Sequence, residues 1–88
     1  DESSSLLSGD SRAFLYTLII KLGLNKVLEI GTYFGGGTKN LANAVLKNNG
    51  NLITLDPSKD RKKIIEKEIS SWDDELKKLT FFFPSNII

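Results

Sequence analysis

Residues 31–37 read Gly-Thr-Tyr-Phe-Gly-Gly-Gly, four glycines in seven positions, between a short apolar run and an amphipathic segment. No other feature limits the fold as much. Lys26-Val27-Leu28-Glu29-Ile30 is apolar but for Glu29 within the run and stops at glycine, which reads as a buried strand. After the glycines, Thr38, Leu41, Ala42 and Val45 recur at helical spacing up to Lys47. A strand, a glycine turn and a helix in that order place the helix's first N–H groups, which lack internal partners, where the strand ends. Glycines there let the backbone take positive φ and pass close to a ligand. The arrangement belongs to parallel α/β sheets, whose ligands lie beyond the carboxyl ends of the strands.

The rest of the chain repeats the alternation. A polar, Ser-rich lead-in occupies residues 1–10. From about Ser11 to Leu22, Phe14, Leu18 and Leu22 stand four apart, with Leu15 and Ile19 beside them, so one wide apolar helical face is expected. Asp10 or Ser11 can cap that helix and Gly23 can end it. Asn48-Asn49-Gly50 is turn chemistry. Asn51 to Leu55 reads as a second strand, ending at Asp56-Pro57. Ser58 can cap a third helix from Lys59 to about Ser71, with Ile65, Ile69 and Trp72 as its buried stripe. Asp73 to Lys78 is a polar connection or helical extension, and Thr80-Phe81-Phe82-Phe83 is a third strand stopped by Pro84.

The resulting fold class is α/β: a Rossmann-like doubly wound parallel sheet, present as a half-domain with three strands in the order 3-2-1 and three helices. Residues 1–88 form a single partial domain. The first strand would lie centrally in a complete sheet, so its free edge is expected to pair with a further segment. Asp1 in place of Met points to a processed or excised chain.

Composition removes several functions. The chain has no Cys, hence no disulfide and no thiolate nucleophile, and no His, hence no imidazole base or His-ligated metal. A net charge of +1 does not indicate nucleic acid as a partner. The basic run Lys59 to Lys63 is followed by Glu66, Glu68, Asp73 and Asp74 and reads as a solvated helix face. Ser3 to Ser5 have no base to activate them. No apolar run approaches the roughly 20 residues of a bilayer span, and no signal-like start is present; a cytoplasmic location without membrane attachment is expected.

The spacing of the loop narrows the ligand. A dinucleotide fingerprint needs G-x-G-x-x-G, but Tyr33 stands at the second glycine. A phosphate loop needs lysine where Gly37 stands, and Lys39 comes too late. The first N–H groups of the helix favour a ligand's carboxylate or phosphate, and the acidic residues Glu29 and Asp56 beside four glycines argue against a turn that binds nothing.

Val27-Leu28-Glu29-Ile30-Gly31-Thr32-Tyr33-Phe34-Gly35, followed by a helix, resembles the first motif of class I S-adenosylmethionine-dependent methyltransferases, in particular the small-molecule O-methyltransferases related to catechol O-methyltransferase. Leu55-Asp56 at the end of the second strand agrees with it. The resemblance spans about Leu7 to Phe83 and covers the amino-terminal half of such a domain. It implies S-adenosylmethionine as cofactor, with Glu29, Gly31, Thr32, Tyr33, Gly35, Gly37 and Asp56 as cofactor-binding residues. Gly31, Thr32 and Tyr33 would floor the methionyl end. Glu29 would orient the loop or meet the ammonium through water. Asp56 would accept the ribose hydroxyls, the alternative being a helix cap. The family commonly has a larger residue and then a serine where this chain has Gly36 and Gly37, so a hydroxyl from position 37 is absent and Thr38 would have to substitute. After the third strand, where the family has a polar side chain facing the adenine, Ser85 or Asn86 could serve. The implied function is the cofactor-binding part of an enzyme that methylates a small molecule at oxygen. The 88 residues alone are expected to be inactive, with catalytic residues elsewhere and no metal site here. Two other readings stay open: another nucleotide-binding α/β module, and a non-catalytic interaction domain that pairs through its strand edge.

Overall fold

The computed structural model describes residues 9–85. The elements run α1 (Gly9–Leu22), β1 (Lys26–Ile30), α2 (Gly36–Lys47), β2 (Asn51–Leu55), α3 (Lys59–Ser70), α4 (Asp74–Leu79) and β3 (Thr80–Phe83). The strands form one parallel sheet in the order β1-β2-β3, with Val27 opposite Leu52, Glu29 opposite Thr54, and Thr54 opposite Phe82. The expected α/β half-sheet and its strand order are therefore observed.

Pleating gives the two faces different fates. Val27, Glu29, Leu52, Thr54 and Thr80 share the face on which α2 packs, flanked by α1 and α4. The core lies there: Leu41, Ala42, Ala44 and Val45 of α2 meet Ile19, Leu52, Trp72, Leu76 and Leu79. Ala42 and Ala44 are both fully buried on different sides of α2, where their small side chains let neighbouring elements approach the helix closely. The opposite face leaves Leu28, Ile30 and Phe81 exposed. The expectation that Lys26–Ile30 is a buried strand is thus corrected: β1 is an edge, bare on one face, and alternates between exposed and half-buried residues.

Four further expectations change. The first helix already includes Gly9 and Asp10, so neither Asp10 nor Ser11 is its cap, and the lead-in assigned to residues 1–10 ends sooner; its other residues lie outside those described. The side of α1 that packs on α2 carries Leu15, Tyr16 and Ile19, whereas Phe14 and Leu22 face outward, because only one edge of the wide apolar face meets α2. The second helix begins at Gly36, two residues before Thr38, with Gly35 as its left-handed N-cap. The third helix ends at Ser70, and a fourth of six residues follows, so the described residues hold four helices and not three. That short helix has Asp74 and Glu75 in its first turn and Lys77 and Lys78 in its last, which complements the helix dipole. Leu76 and Leu79, three apart, bury its inner face. The Phe run is only partly core: Phe81 is half exposed, and Phe82 and Phe83 are half-buried.

Candidate functional site

All three strands end on one side of the sheet, and their ends are tied together. Gly31 N–H donates to Leu55 O at 2.7 Å, and Asp56 N–H donates to Phe83 O at 3.2 Å. Above them the glycine loop takes positive φ at alternate residues: Gly31 (93°), Tyr33 (54°) and Gly35 (92°). Glycine accommodates two of these at no steric cost. Tyr33 does not, and a non-glycine residue there costs about 1–2 kcal/mol unless something holds it. The holder is Asp56, whose Oδ2 accepts the Tyr33 N–H at 2.8 Å.

Asp56 is fully buried and meets four donors. Besides Tyr33, Ser58 N–H donates to Oδ1 at 2.9 Å, Arg61 Nε donates to Oδ2 at 3.1 Å, and an Arg61 terminal nitrogen donates to Oδ1 at 3.0 Å. Arg61 forms a two-pronged pair of the kind that suits guanidinium and carboxylate planes. Its guanidinium carbon also lies 4.9 Å from the centre of the Tyr33 ring. Burial alone would push the Asp56 carboxyl up. The Arg61 hydrogen bonds, the Ser58 and Tyr33 N–H groups and the Arg61 charge together outweigh it and hold the carboxyl below its ordinary value.

Glu29 is differently supplied. Its Oε1 accepts from the hydroxyls of Thr38 and of Thr54, the latter at 2.7 Å, and both bonds use that one oxygen. Thr54 Oγ1 is in turn 2.7 Å from Thr32 Oγ1. A hydroxyl has one proton, so with Thr54 donating to Glu29, Thr32 must donate to Thr54. Burial pushes Glu29 above its ordinary value; the Thr38 and Thr54 hydroxyls pull the other way without cancelling it, and the nearby Asp56 charge adds to the rise.

Of the seven residues expected to bind cofactor, Glu29, Gly31, Thr32, Tyr33 and Gly37 line one mostly apolar groove of about 420 Å³ between α1 and β1. Gly35 lies outside it, where an added Cβ would come 3.0 Å from Glu68 Cγ and 3.7 Å from the Trp72 ring, so its bare backbone admits α3. Asp56 sits beneath the loop. Asn86 lies outside the described residues. Among the described residues no cluster of acidic side chains could hold a metal, and no helix is long and apolar enough to cross a membrane.

Sequence reasoning missed two residues of this site. Arg61 reads as part of a solvated basic run, yet it stands at the third position of a helix capped by Ser58, whose Oγ accepts the Arg61 N–H at 3.3 Å. That position returns its side chain toward the strand end five residues earlier. Thr54 reads as an ordinary strand residue; its value comes from facing Glu29 across the sheet, which the equal lengths and parallel pairing of the two strands could have suggested.

No family model matches the chain, and no curated protein matches it. Solved structures do. An O-methyltransferase from Bacillus cereus in complex with SAH superposes with a TM-score of 0.74 at 26% identity, covering 93% of this chain and 37% of that one. TomG, an O-methyltransferase of Streptomyces achromogenes involved in tomaymycin synthesis and solved with SAM, gives 0.72 at 21% identity, covering 86% of this chain and 33% of that one. Cofactor-bound Rv0187 from MTB gives 0.71 at 22%, covering 88% and 34%. The chain thus spans about a third of the length of these structures, and over that third it has the Rossmann-like fold of S-adenosylmethionine-dependent O-methyltransferases. The likeness read from the glycine motif is borne out at the level of fold.

Proposed function

We propose that this chain is the S-adenosylmethionine-binding part of a cytoplasmic methyltransferase that transfers a methyl group to a small molecule, at oxygen. The observation that carries the reading is the loop of residues 31–35, held in its alternating positive-φ course over the strand ends, with one carboxylate on the groove wall and another beneath the loop. The fold likeness to proteins solved with SAM or SAH supports the same cofactor.

The residues suit such a cofactor. The groove is of ordinary ligand size and largely apolar, with the Glu29 carboxylate in its wall, which fits a cationic, partly hydrophobic group. Gly31, Thr32 and Tyr33 would floor the methionyl end. Gly37, at the start of α2, lines the groove, and Gly35 supplies no capping side chain to that helix, so its first N–H groups suit a carboxylate. Asp56 would accept the ribose hydroxyls. When bound, the cofactor supplies an electrophilic methyl; the chain's own part is to orient the cofactor and keep water away from it. Residues that act on the methyl acceptor belong to the remaining two-thirds of such an enzyme, and the 88 residues alone are proposed to be inactive. Among the described residues β1 is an edge strand of the sheet, and its unpaired side supports pairing with a further strand.

Titration calorimetry with S-adenosylmethionine tests the reading. Asp56→Ala should weaken binding by about 1–3 kcal/mol, the worth of charge-assisted hydrogen bonds. Gly31→Val should weaken it more, because position 31 has φ 93° and an added Cβ would lie 2.8 Å from the Tyr33 ring. Unchanged affinity in both variants would remove the loop from the site, and absence of any binding would end the reading.

A further inference from the structure

We propose that Arg61 is a built-in competitor for the ribose site: its guanidinium holds the two Asp56 oxygens that a ribose diol would use, so cofactor seating exchanges Arg61 for the diol. This rests on the ribose role proposed for Asp56. A carboxylate offers about four lone-pair positions, and Asp56 already meets four donors. Two of these are backbone N–H groups, from Tyr33 and Ser58, which can leave only if the loop or the start of α3 comes apart. The other two belong to one side chain, which is 31% exposed. Arg61 is therefore the donor that can swing away while the fold stays intact.

The exchange reaches beyond the ribose. The Arg61 guanidinium packs over the Tyr33 ring, and Tyr33 lines the groove assigned to the methionyl end. When Arg61 leaves Asp56 it also uncovers that ring, so the two halves of the cofactor site are linked through one side chain. Apparent affinity is the intrinsic affinity multiplied by the fraction of molecules with Arg61 off the carboxylate.

The test is Arg61→Met, which keeps a stem of similar length over Tyr33 and removes every donor. Titrated with S-adenosylhomocysteine or adenosine, the variant should bind about three- to tenfold tighter than the unsubstituted chain. Its melting temperature should fall, because the buried carboxylate has lost its cation. Affinity and stability then move in opposite directions, which a purely supporting arginine would not produce. Methionine alone and 2′,3′-dideoxyadenosine should show no gain. A second measurement needs no variant: the Arg61 Nε–H resonance should lose its ion-paired shift as S-adenosylhomocysteine saturates the chain. Equal or weaker binding by Arg61→Met, or an Nε–H resonance unmoved at saturation, overturns the proposal and leaves the cofactor reading standing. No binding by either form overturns both.

Discussion

Glu29 and Asp56 stand near the carboxyl ends of neighbouring strands, close enough for the charge of one to raise the pKa of the other. Their surroundings differ in kind. Glu29 is met by two hydroxyls on a single oxygen, and burial leaves its carboxyl above the ordinary value. Asp56 is more deeply buried yet lies below its ordinary value, because a guanidinium and two backbone N–H groups fill both oxygens. Burial pushes both carboxyls upward; Asp56 has a guanidinium and two backbone N–H groups against that push, and Glu29 only two hydroxyls. Asp56 ties loop, strand and helix together, whereas Glu29 keeps an oxygen that its two hydroxyl partners do not use.

Removing each carboxylate tests this contrast most severely. Asp56→Ala leaves the Tyr33 and Ser58 N–H groups without their acceptor and takes away what holds Tyr33 in a left-handed conformation. A stability loss of about 3 kcal/mol is expected by urea denaturation. Glu29→Gln should change stability by less than about 1 kcal/mol, since the amide oxygen still accepts from Thr38 and Thr54 and a desolvated charge is gone. If the Glu29 variant were the less stable of the two, the contrast between anchor and unsaturated carboxylate would be wrong.

A middle-sized effect sharpens the Glu29 side. Thr54 is fully buried between Thr32 and Glu29. Thr54→Val keeps the shape but deprives Thr32 of an acceptor and Glu29 of a donor, at about 1–2 kcal/mol. Because the Thr54 hydroxyl pulls Glu29 down, its loss should raise the Glu29 pKa further, as followed by carboxyl carbon NMR. An unmoved Glu29 titration would mean that the hydroxyl chain does not act on the carboxylate.

These residues also show where sequence is informative. Strand and helix positions, parallel order and the glycine loop could be read because each rests on local periodicity or local turn chemistry, as with Leu41, Ala42 and Val45 of α2 or Ser58 at the start of α3. What stayed hidden was pairing across distance. Thr54 carries no mark of its own and matters only through its register with Glu29. Arg61 was masked by its neighbours, since Lys59, Lys62 and Lys63 are exposed while Arg61 alone folds back on Asp56. The exposed face of β1 was misjudged for a related reason: an apolar run signals burial in a complete sheet, and the described residues put nothing over Leu28 or Ile30. Apolar residues on α1 suffered likewise, because periodicity locates a stripe but not which part of it meets a neighbour.

The smallest expected effect concerns the pH dependence of stability, where the two carboxylates should act with opposite sign. Glu29 binds its proton more tightly in the folded chain. As pH rises from its ordinary value of 4.5 through the raised folded value, the unfolded chain has released a proton that the folded one retains, so stability falls. Asp56 binds its proton less tightly when folded. Its contribution is complete above its ordinary value of 3.8 and is lost as pH drops through the lowered folded value. Stability set by these two groups should therefore peak near the ordinary carboxylate range, with neither slope exceeding about 1.4 kcal/mol per pH unit, the limit for one proton. Glu29→Gln should flatten the limb above the peak and leave the acid limb, whereas Asp56→Asn should flatten the acid limb. Asp56→Asn should also lower the Glu29 pKa by removing a neighbouring negative charge, so the upper limb should move to lower pH. Thermal melts at half-unit pH steps would measure both limbs, and an upper limb that stayed in place in Asp56→Asn would show that the two carboxylates titrate independently.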